Sequence, residues 1–312
     1  MDYRQLGRTD LHTSVIGFGA SPFGDLFGAI NPKEAERAVA LAIDSGINFF
    51  DVAPFYGETL AEQRLGNALR KRRKEILLST KCGHYATDRF DYSALRITAS
   101  MDESLQRLRT DYVDLLLAHN IEFGDAEQLV DETIPAMREL QKQGKARFIG
   151  ISAYPLAMLR RVAERAPVDV ILTYCHYNPL STKLETSEAG LMDFVRARGI
   201  GLINASPLHM GLLNGRKPPE WHPAPQPVRA AAGRFVEACQ ANGSNPATIA
   251  LRFCIEQPNI ATTLVGMATR EEVKQNLEAM HISLSQRLCE DIASIAQPVA
   301  EMVWASGRAE NN

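Results

Sequence analysis

Short apolar runs alternate with longer amphipathic segments along this chain of 312 residues. The runs are rich in Val, Ile, Leu and Phe, which is typical of strands buried on both faces of a parallel sheet. They are Val15–Ala20, Ile47–Asp51, Glu75–Lys81, Tyr112–His119, Ala146–Ser152, Val168–Tyr174, Ile200–Ser206 and Ile260–Gly266. Because parallel strands need a long crossover between them, the alternation restricts the chain to folds built from repeated strand–helix units.

Most of the segments between these runs carry apolar residues at helical spacing. They are Pro32–Ser45, Leu60–Lys71, Tyr92–Leu108, Glu127–Lys142, Pro155–Arg165 and Ser187–Arg198. Eight strand–helix units predict an α/β protein in which residues 1–312 form a single (β/α)8 TIM-barrel domain. A doubly wound sheet is the competing layout, but it more often has fewer strands and a phosphate-binding loop after the first one.

Further segments lie outside this repeat. Tyr3–Thr13 contains the turn sequence LGRTDL, which predicts an N-terminal hairpin at the floor of the barrel. Residues 208–228 hold five prolines and predict an irregular loop at the barrel mouth. Additional helices are predicted towards the C-terminus over Arg229–Ala241, Pro246–Glu256 and Ser285–Ile295.

Charge and composition exclude several classes of partner. The net charge is −3 with acidic and basic residues interspersed, so neither nucleic acid nor an anionic membrane is expected as a partner. The polar N-terminus does not resemble a signal peptide, and no apolar run approaches the ~20 residues that span a bilayer. Five scattered cysteines fit free thiols in a reducing compartment, which predicts a cytoplasmic protein. The sequence does not indicate an oligomeric state.

Polar residues close the apolar strands at the end where barrel enzymes carry their active sites. Lys81 ends the third strand, where an inward-facing ammonium is costly unless it is paired, and Asp51 is the natural partner. Tyr56 follows Asp51 in a loop, and a nearby Lys81 is expected to lower its pKa and make it a proton donor and acceptor. His119 ends the fourth strand and is placed to bond a substrate oxygen. Each residue alone has a structural explanation, but four on consecutive strands favour catalysis.

The segments GINFFDVAPFYG, LLSTK and DYVDLLLAH resemble the Asp–Tyr–Lys–His tetrad of the aldo-keto reductases. The resemblance covers nearly the whole chain and is closer to the L-galactose and L-fucose (D-threo-aldose) 1-dehydrogenases, through AHNIEFGD, VDVILTYCHY, INASPLHMGLL and PPEWHP. It implies a barrel that binds NAD(P) without a Rossmann domain and oxidises an aldose at C1 to its lactone. Asp51, Tyr56, Lys81 and His119 are then the catalytic residues, with Tyr56 as acid or base.

The resemblance also implies a set of cofactor-binding residues. They are Gly19, Ser152, Tyr174, Ser206, Leu208, Gly211, Leu212, Gly266, Ala268, Arg270, Glu272 and Asn276. The chain departs from many relatives by having Ala153 after Ser152, Tyr174 in place of a glutamine, and Ala205 in place of an aromatic residue that stacks on nicotinamide. Ala268 cannot bond a 2′-phosphate whereas Arg270 can, so NAD is the predicted cofactor and NADP is a possible one.

The predicted partner is a small sugar, and an aldose pocket needs hydrogen-bonding groups beside an apolar wall. The predicted substrate residues are Phe23, Asn120, His176, His209, Trp221 and Trp304, although each aromatic ring would also suit simple loop packing. His84, His176, His209 and His222 lack the spacing of a metal site, so no metal is predicted. Gly17, Gly19 and Gly24 do not form a dinucleotide-binding GxGxxG motif.

Alternative functions fit the same residues. One alternative is an enzyme that reduces assorted aldehydes, or that oxidises another alcohol such as the hemiacetal of pyridoxal. A barrel of this kind can also serve as a non-catalytic, cofactor-sensing subunit, since fold does not determine function. The complete tetrad favours an enzyme.

Overall fold

The protein is described by a computed structural model covering Met1–Asn312. Its strands are β1 (Tyr3–Gln5), β2 (His12–Ser14), β3 (Ile16–Gly19), β4 (Phe49–Asp51), β5 (Leu77–Cys82), β6 (His84–Ala86), β7 (Arg89–Phe90), β8 (Val113–Ala118), β9 (Ala146–Ala153), β10 (Val170–Tyr174), β11 (Gly201–Ala205) and β12 (Thr262–Gly266). Eight of them close a parallel barrel in the order β3-β4-β5-β8-β9-β10-β11-β12. The predicted (β/α)8 fold is therefore confirmed.

Helices surround the barrel. They are α1 (Pro32–Asp44), α2 (Leu60–Leu69), α3 (Ala94–Leu108), α4 (Ala126–Gln128), α5 (Ile134–Lys142), α6 (Leu156–Arg165), α7 (Lys183–Thr186), α8 (Leu191–Arg198), α9 (Gln226–Ala241), α10 (Pro246–Ile255), α11 (Arg270–Glu278) and α12 (Gln286–Ala296). A π-helical segment, Leu129–Thr133, joins α4 to α5, and short 3₁₀ turns cover Ser21–Gly24, Arg73–Glu75, Ile121–Phe123, His209–Gly211, Gln297–Val299 and Ala309–Asn311. None of these helices is long and apolar enough to cross a membrane.

Local sequence signals set the helix ends. The Asn31 side chain accepts hydrogen bonds from the backbone N–H groups of Lys33 and Glu34, and Pro32 occupies the first position of α1. Gly199 ends α8 with a φ of 64°, a left-handed conformation that costs glycine little. Two elements were not predicted from the sequence: α11, which follows β12 and packs beside α1 and α10, and the β6–β7 hairpin, which follows β5.

The N-terminal hairpin closes the floor of the barrel. Leu6 and Leu11 are buried in the same apolar cluster as Phe49, which also holds Leu115, Leu117, Val170, Leu172, Ile203 and Leu264 of the barrel interior. Gly7 allows this close approach, because a Cβ there would lie 2.2 Å from the backbone nitrogen of Gly201. A larger cluster of 58 buried residues fills the layer between barrel and helices. With the floor sealed, only the C-terminal ends of the strands leave room for a site.

Candidate active site

Alternation along each strand selects one inward-facing residue at the mouth of the barrel. The pairing registers align these residues, so that Gly19 lies beside Asp51 and Gly266, and Tyr174 lies beside Ala205. The ring is Gly19, Asp51, Lys81, His119, Ser152, Tyr174, Ala205 and Gly266. Larger polar residues occupy the half from β4 to β10, and residues no larger than alanine occupy β11, β12 and β3. The mouth therefore has a polar half and an open half.

The four predicted catalytic residues lie together in the polar half. Lys81 Nζ donates hydrogen bonds to Asp51 Oδ2 at 2.5 Å, to the Val52 carbonyl oxygen at 3.0 Å and to the Tyr56 hydroxyl oxygen at 3.2 Å. These bonds use all three donors of the ammonium group and fix it in place. The His119 ring stands nearly perpendicular to the Tyr56 ring, with 5.7 Å between centroids. Tyr56 thus contacts a cation on one side and an imidazole on another.

A tight turn holds Tyr56 in this position. Its N–H donates to the Ala53 carbonyl at 3.2 Å, and its own carbonyl accepts from the N–H of Ala61 at 3.2 Å. Gly24 packs directly against the turn, since a Cβ on Gly24 would lie 2.4 Å from the Tyr56 carbonyl carbon. Gly57 has a φ of 62°, and a Cβ on it would lie 2.5 Å from the Gly24 carbonyl oxygen. The two glycines therefore let the loop after β3 support the tyrosine.

Burial dominates the electrostatics of the tetrad. It raises the pKa of Tyr56; the Lys81 ammonium opposes this without reversing it, so the expectation of a lowered pKa was wrong in direction. Burial is the largest single effect on the pKa of Lys81 and lowers it, but Asp51 and Tyr56 together outweigh burial, so the net direction is upward. Burial, followed by the charge of Lys81, holds the pKa of His119 well below its usual range. The resting site therefore pairs an ammonium with a neutral phenol and a neutral imidazole.

His84 is a site residue that the sequence analysis considered only as a metal ligand. Its ring is stacked between Phe55 at 3.9 Å and Phe90 at 4.2 Å, and its centroid lies 5.4 Å from that of His119. Its Nδ1 lies 3.3 Å from Nδ2 of Asn120, and its Nε2 is buried without a partner. Burial lowers its pKa to about 4. Its place three residues after Lys81, on the mouth side, was the signal available in the sequence.

Residues predicted to bind the cofactor surround the open half of the mouth. The loop after β11 has three consecutive residues in the left-handed region: His209 at 49°, Met210 at 50° and Gly211 at 102°. Ser206, directly after the strand, has a φ of 60°. Such conformations cost about 1–3 kcal/mol for each non-glycine residue and often persist where a ligand is bound. Leu208 and Leu212 flank this backbone. Leu212 belongs to a second apolar cluster of 14 buried residues, and Leu208 packs against that cluster.

The turn between β12 and α11 is held by a capping box. The Glu272 carboxylate accepts from the N–H groups of Ala268 at 2.8 Å and Thr269 at 3.2 Å, so it is occupied by its own helix. Asn276 is 4% exposed on the same helix. Arg270 is paired by a residue that the sequence analysis missed: its Nε and Nη2 donate to the two carboxylate oxygens of Glu34 at 2.9 and 3.1 Å.

Of the six predicted substrate residues, Asn120 lies beside His84, and the other five divide into two groups, the first of which is Phe23 and Trp221. Phe23 is fully buried and contacts Phe18 at 5.8 Å, so it packs the core and does not face the mouth. Trp221 is 54% exposed and contacts Phe27 at 5.8 Å.

The other group lies together above β10 and β11. Trp304 stacks on Tyr154 at 4.3 Å and meets the His209 ring edge-on at 5.6 Å. The His176 ring is tilted by 33° from that of Tyr154, with 4.4 Å between centroids, and its Nε2 lies 2.7 Å from the Tyr154 carbonyl oxygen. The structure thus assembles an aromatic and imidazole wall that adjoins the open half of the mouth at β10 and β11.

A buried carboxylate lies between this wall and the tetrad. Glu122 is 0% exposed, and its Oε1 is 3.5 Å from the Tyr174 hydroxyl. Tyr174 was predicted to contact the cofactor, and its ring leans towards Tyr154, with 5.5 Å between centroids. The sequence analysis missed Glu122, although it lies only three residues after His119.

Comparison with known proteins agrees with this geometry. The profile described as "Aldo/keto reductase family" matches residues 15–297. The chain is 41% identical to L-galactose dehydrogenase from Arabidopsis thaliana, with 100% of this chain and 99% of that protein covered. It is 26% identical to pyridoxal 4-dehydrogenase from Microbacterium luteolum, over 88% of this chain and 91% of the relative.

A solved structure is similar over almost the same length. It is an aldo-keto reductase from Bacillus halodurans in its holo form, 28% identical, with a TM-score of 0.80 and coverage of 96% of this chain and 98% of that one. The family profile spans the whole barrel, from β3 to the segment after α12. The chain therefore belongs to the aldo/keto reductase family.

Proposed function

We propose that this oxidoreductase oxidises an aldose of the L-galactose or L-fucose type at C1 to the lactone. The observation that carries the proposal is the hydrogen-bonded chain from Asp51 through Lys81 to Tyr56, with His119 beside it. An arrangement of this kind is suited to moving one proton at one oxygen. It argues against a non-catalytic sensor, which has no need of a buried ammonium beside a phenol.

In the proposed reaction the C1 hydroxyl proton passes to the Tyr56 oxygen while C1 becomes a carbonyl carbon. A bound nicotinamide cofactor supplies the acceptor for the hydride that leaves C1. Lys81 favours the phenolate form of Tyr56 through its charge at 3.2 Å, and Asp51 holds Lys81 in place. His119 is neutral, so it orients the substrate oxygen through a hydrogen bond rather than through a full charge.

The residues of the open half fit a flat cofactor ring. Gly19, Ala205 and Gly266 lie on neighbouring strands and leave room beside Tyr56. Gly266 is exposed to solvent. The only atoms close to a Cβ built on it belong to the Pro22 ring, the nearest at 3.1 Å. Ser206 and Gly211 would hold the cofactor from the loop after β11.

NAD is the proposed cofactor because the Arg270 guanidinium is already paired. Its Nε and Nη2 each donate a hydrogen bond to one carboxylate oxygen of Glu34. These hydrogen bonds lower the pKa of Glu34 to about 2. A 2′-phosphate at Arg270 would have to displace that carboxylate. The test compares kcat/KM for NAD and NADP in the wild type and in Glu34→Gln. A wild-type preference for NADP would contradict the proposal, as would a variant whose preference is unchanged.

A panel of aldoses, followed at the nicotinamide absorbance band, tests the substrate. We expect L-galactose, L-fucose or a close stereochemical relative to react at least about tenfold faster than D-glucose, because a misplaced hydroxyl leaves buried polar groups unpaired. Tyr56→Phe serves as the inactive control. Equal rates for all aldoses, or activity only with simple aldehydes, would refute the substrate assignment.

Oxidation of the pyridoxal hemiacetal is the second candidate. The stack of Phe55, His84, Phe90 and Phe123 beside His119 offers a flat apolar surface that suits an aromatic ring. The relative from Microbacterium luteolum carries the name of that activity. Pyridoxal therefore belongs in the same substrate panel.

A further inference from the structure

The C-terminal tail, defined here as Trp304–Asn312, is seated on the turn that follows β8. The Glu122 carbonyl oxygen accepts from the Arg308 N–H at 3.0 Å and from Asn311 Nδ2 at 2.9 Å. Gly307 lies against the same carbonyl, since a Cβ there would be 2.2 Å from its oxygen. The tail and the turn are separated by about 180 residues in sequence, so this contact is purely tertiary.

The side chain of Glu122 is bonded to the tail as well. Its Oε1 accepts from Ser306 Oγ at 2.9 Å, from the Tyr154 N–H at 3.3 Å and from the Tyr174 hydroxyl at 3.5 Å. Its Oε2 is buried with no partner. All the surrounding hydrogen bonds come from neutral donors. An unpaired carboxyl group in such a place is costly in its charged form.

The residues bonded to Glu122 are connected to the mouth of the barrel. Trp304 begins the tail and stacks on Tyr154, while Tyr174 is the inward residue at the end of β10. The backbone N–H of Trp304 also donates a hydrogen bond to the Tyr154 hydroxyl oxygen at 3.4 Å. A change at Glu122 therefore reaches the substrate wall and the strand end together, although Glu122 itself is covered by both.

We infer that Glu122 is a positioning residue of this site, which holds Tyr174 and the C-terminal tail against the mouth and loosens that hold when it loses its proton. The inference rests on the proposed function, because the tail carries part of the proposed sugar pocket. Glu122 acts through Trp304 and Tyr174 and does not itself touch the substrate. Its state is expected to change KM for the sugar and to leave kcat nearly unchanged.

The direction of the effect follows from proton linkage. Burial raises the pKa of Glu122 to about 7, against the opposing hydrogen bonds from its own backbone, Ser306, Tyr154 and Tyr174. In an open tail the carboxyl group would meet water and regain the ordinary pKa of a glutamate. The closed form thus binds the proton more tightly, so the stabilisation of closure is complete below the ordinary glutamate pKa, decreases as the pH rises from there to about 7, and is lost above that value.

Burial moves the pKa values of the tyrosine, cysteine and histidine side chains near Glu122 and Trp304 away from neutral pH. Burial raises the pKa values of Tyr92, Tyr154 and Tyr174, which lie just before α3, directly after β9 and at the end of β10, and that of Cys175, which follows Tyr174. Arg308 of the tail contributes a guanidinium group, which lies 3.7 Å from the Asp125 carboxylate. Around Trp304, burial lowers the pKa of His176 to about 4 and that of His209 to about 3, and it also lowers the pKa of His222.

The chain offers a direct probe of the tail, because Trp221 and Trp304 are its only two tryptophans. In a Trp221→Phe background, fluorescence reports on Trp304 alone and needs no substrate. We expect its emission to shift to longer wavelength with a midpoint at or somewhat below pH 7 as the tail loosens. When Glu122→Gln is introduced into the same Trp221→Phe background, the side chain has nearly the same shape but no charge. This variant should lack the pH-dependent shift of the emission. The matched control is Glu310→Gln, an exposed acid in the same tail, which should retain it.

Ser306→Ala gives a second, independent test that does not depend on how well Glu122→Gln folds. The Ser306 hydroxyl lowers the pKa of Glu122, so its removal should move the midpoint to higher pH. In steady-state assays KM for the sugar should rise several-fold across the same pH range in the wild type and stay flat in Glu122→Gln, with kcat within about twofold.

Two results would overturn the inference. One is a Trp304 emission that shows no transition near neutral pH; the other is a transition that persists unchanged in Glu122→Gln and in Ser306→Ala. The fluorescence titration separates this inference from the proposed function. If no aldose is oxidised, the substrate assignment fails, and the role of Glu122 in holding the tail is still decided by the emission of Trp304.

Discussion

Gly24→Ala should disable the enzyme by displacing the turn that carries Tyr56. A Cβ at Gly24 would lie 2.4 Å from the Tyr56 carbonyl carbon, 2.5 Å from the Gly57 backbone nitrogen and 2.7 Å from the Tyr56 carbonyl oxygen. Ordinary contacts begin near 3.4 Å, so the two segments must separate by about 1 Å. All three contacts are with backbone atoms, which cannot turn aside as a side-chain tip can.

The expected magnitude follows from that displacement. Moving a reacting group by about 1 Å costs on the order of 100-fold in rate. Overpacking of a closely packed site also costs about 1–3 kcal/mol of folding free energy, which this large core tolerates. We therefore expect kcat/KM for the best aldose to fall about 100-fold while the protein remains folded.

Gly233→Ala is the matched control. Gly233 lies in α9, and a Cβ added to it would have no heavy atom within 4 Å, so the same extra methyl group meets open space there. Activity is followed at the nicotinamide band, and circular dichroism with thermal unfolding confirms the folded state of both variants. The reasoning is refuted if Gly24→Ala keeps more than a third of wild-type kcat/KM, or if the control loses as much.

Tyr56→Phe keeps the ring and removes the hydroxyl, so kcat should fall about 10²–10⁴-fold in the same assay; more than a third of normal activity would sink its assignment. Lys81→Met removes the charge that opposes burial, so the pKa of Tyr56 should rise further and the pH profile of any residual oxidation should move to higher pH. A profile unchanged in midpoint and height would contradict the electrostatic role. Asp114→Ala leaves Arg73 and Arg147, bonded at 2.9 and 2.8 Å, without their buried carboxylate. Urea unfolding should show a loss of about 2–5 kcal/mol, and a loss below about 1 kcal/mol would show that the network is unimportant.

The parts of the fold that the sequence predicted are those fixed by hydrophobic period. All residues of the parallel strand β8 are buried, and its four consecutive apolar residues Leu115–Ala118 lack the polar alternation of a half-exposed strand. Helix α11 gave no such signal, because Val273 and Leu277 are its only large apolar residues. Its start is instead set by a capping box between Thr269 and Glu272. The β6–β7 hairpin is only a few residues long and pairs with a register shift, which a periodicity analysis cannot resolve.

The site divides in the same way. Asp51, Lys81 and His119 were predictable together because a barrel brings the C-terminal ends of its strands to one mouth. Glu34 and Glu122 were not, because their partners lie far away in sequence: Glu34 bonds Arg270, 236 residues on, and Glu122 bonds Ser306, 184 residues on. No local pattern marks such pairs. Only the packing of α1 beside α11, and of the tail on the turn after β8, makes them neighbours.

The pKa of Tyr56 shows why a contact alone does not determine chemistry. From the sequence, a lysine near a tyrosine predicted a lowered pKa, since only the charge could be considered. The structure adds that the hydroxyl is buried and that Asp51 contributes a carboxylate, and both raise the pKa. Burial exceeds the effect of Lys81, so the ammonium serves to limit the rise rather than to create a phenolate at rest. In the proposed reaction oxidation needs the phenolate and the reverse reduction needs the phenol, so the rate of aldose oxidation is expected to increase with pH.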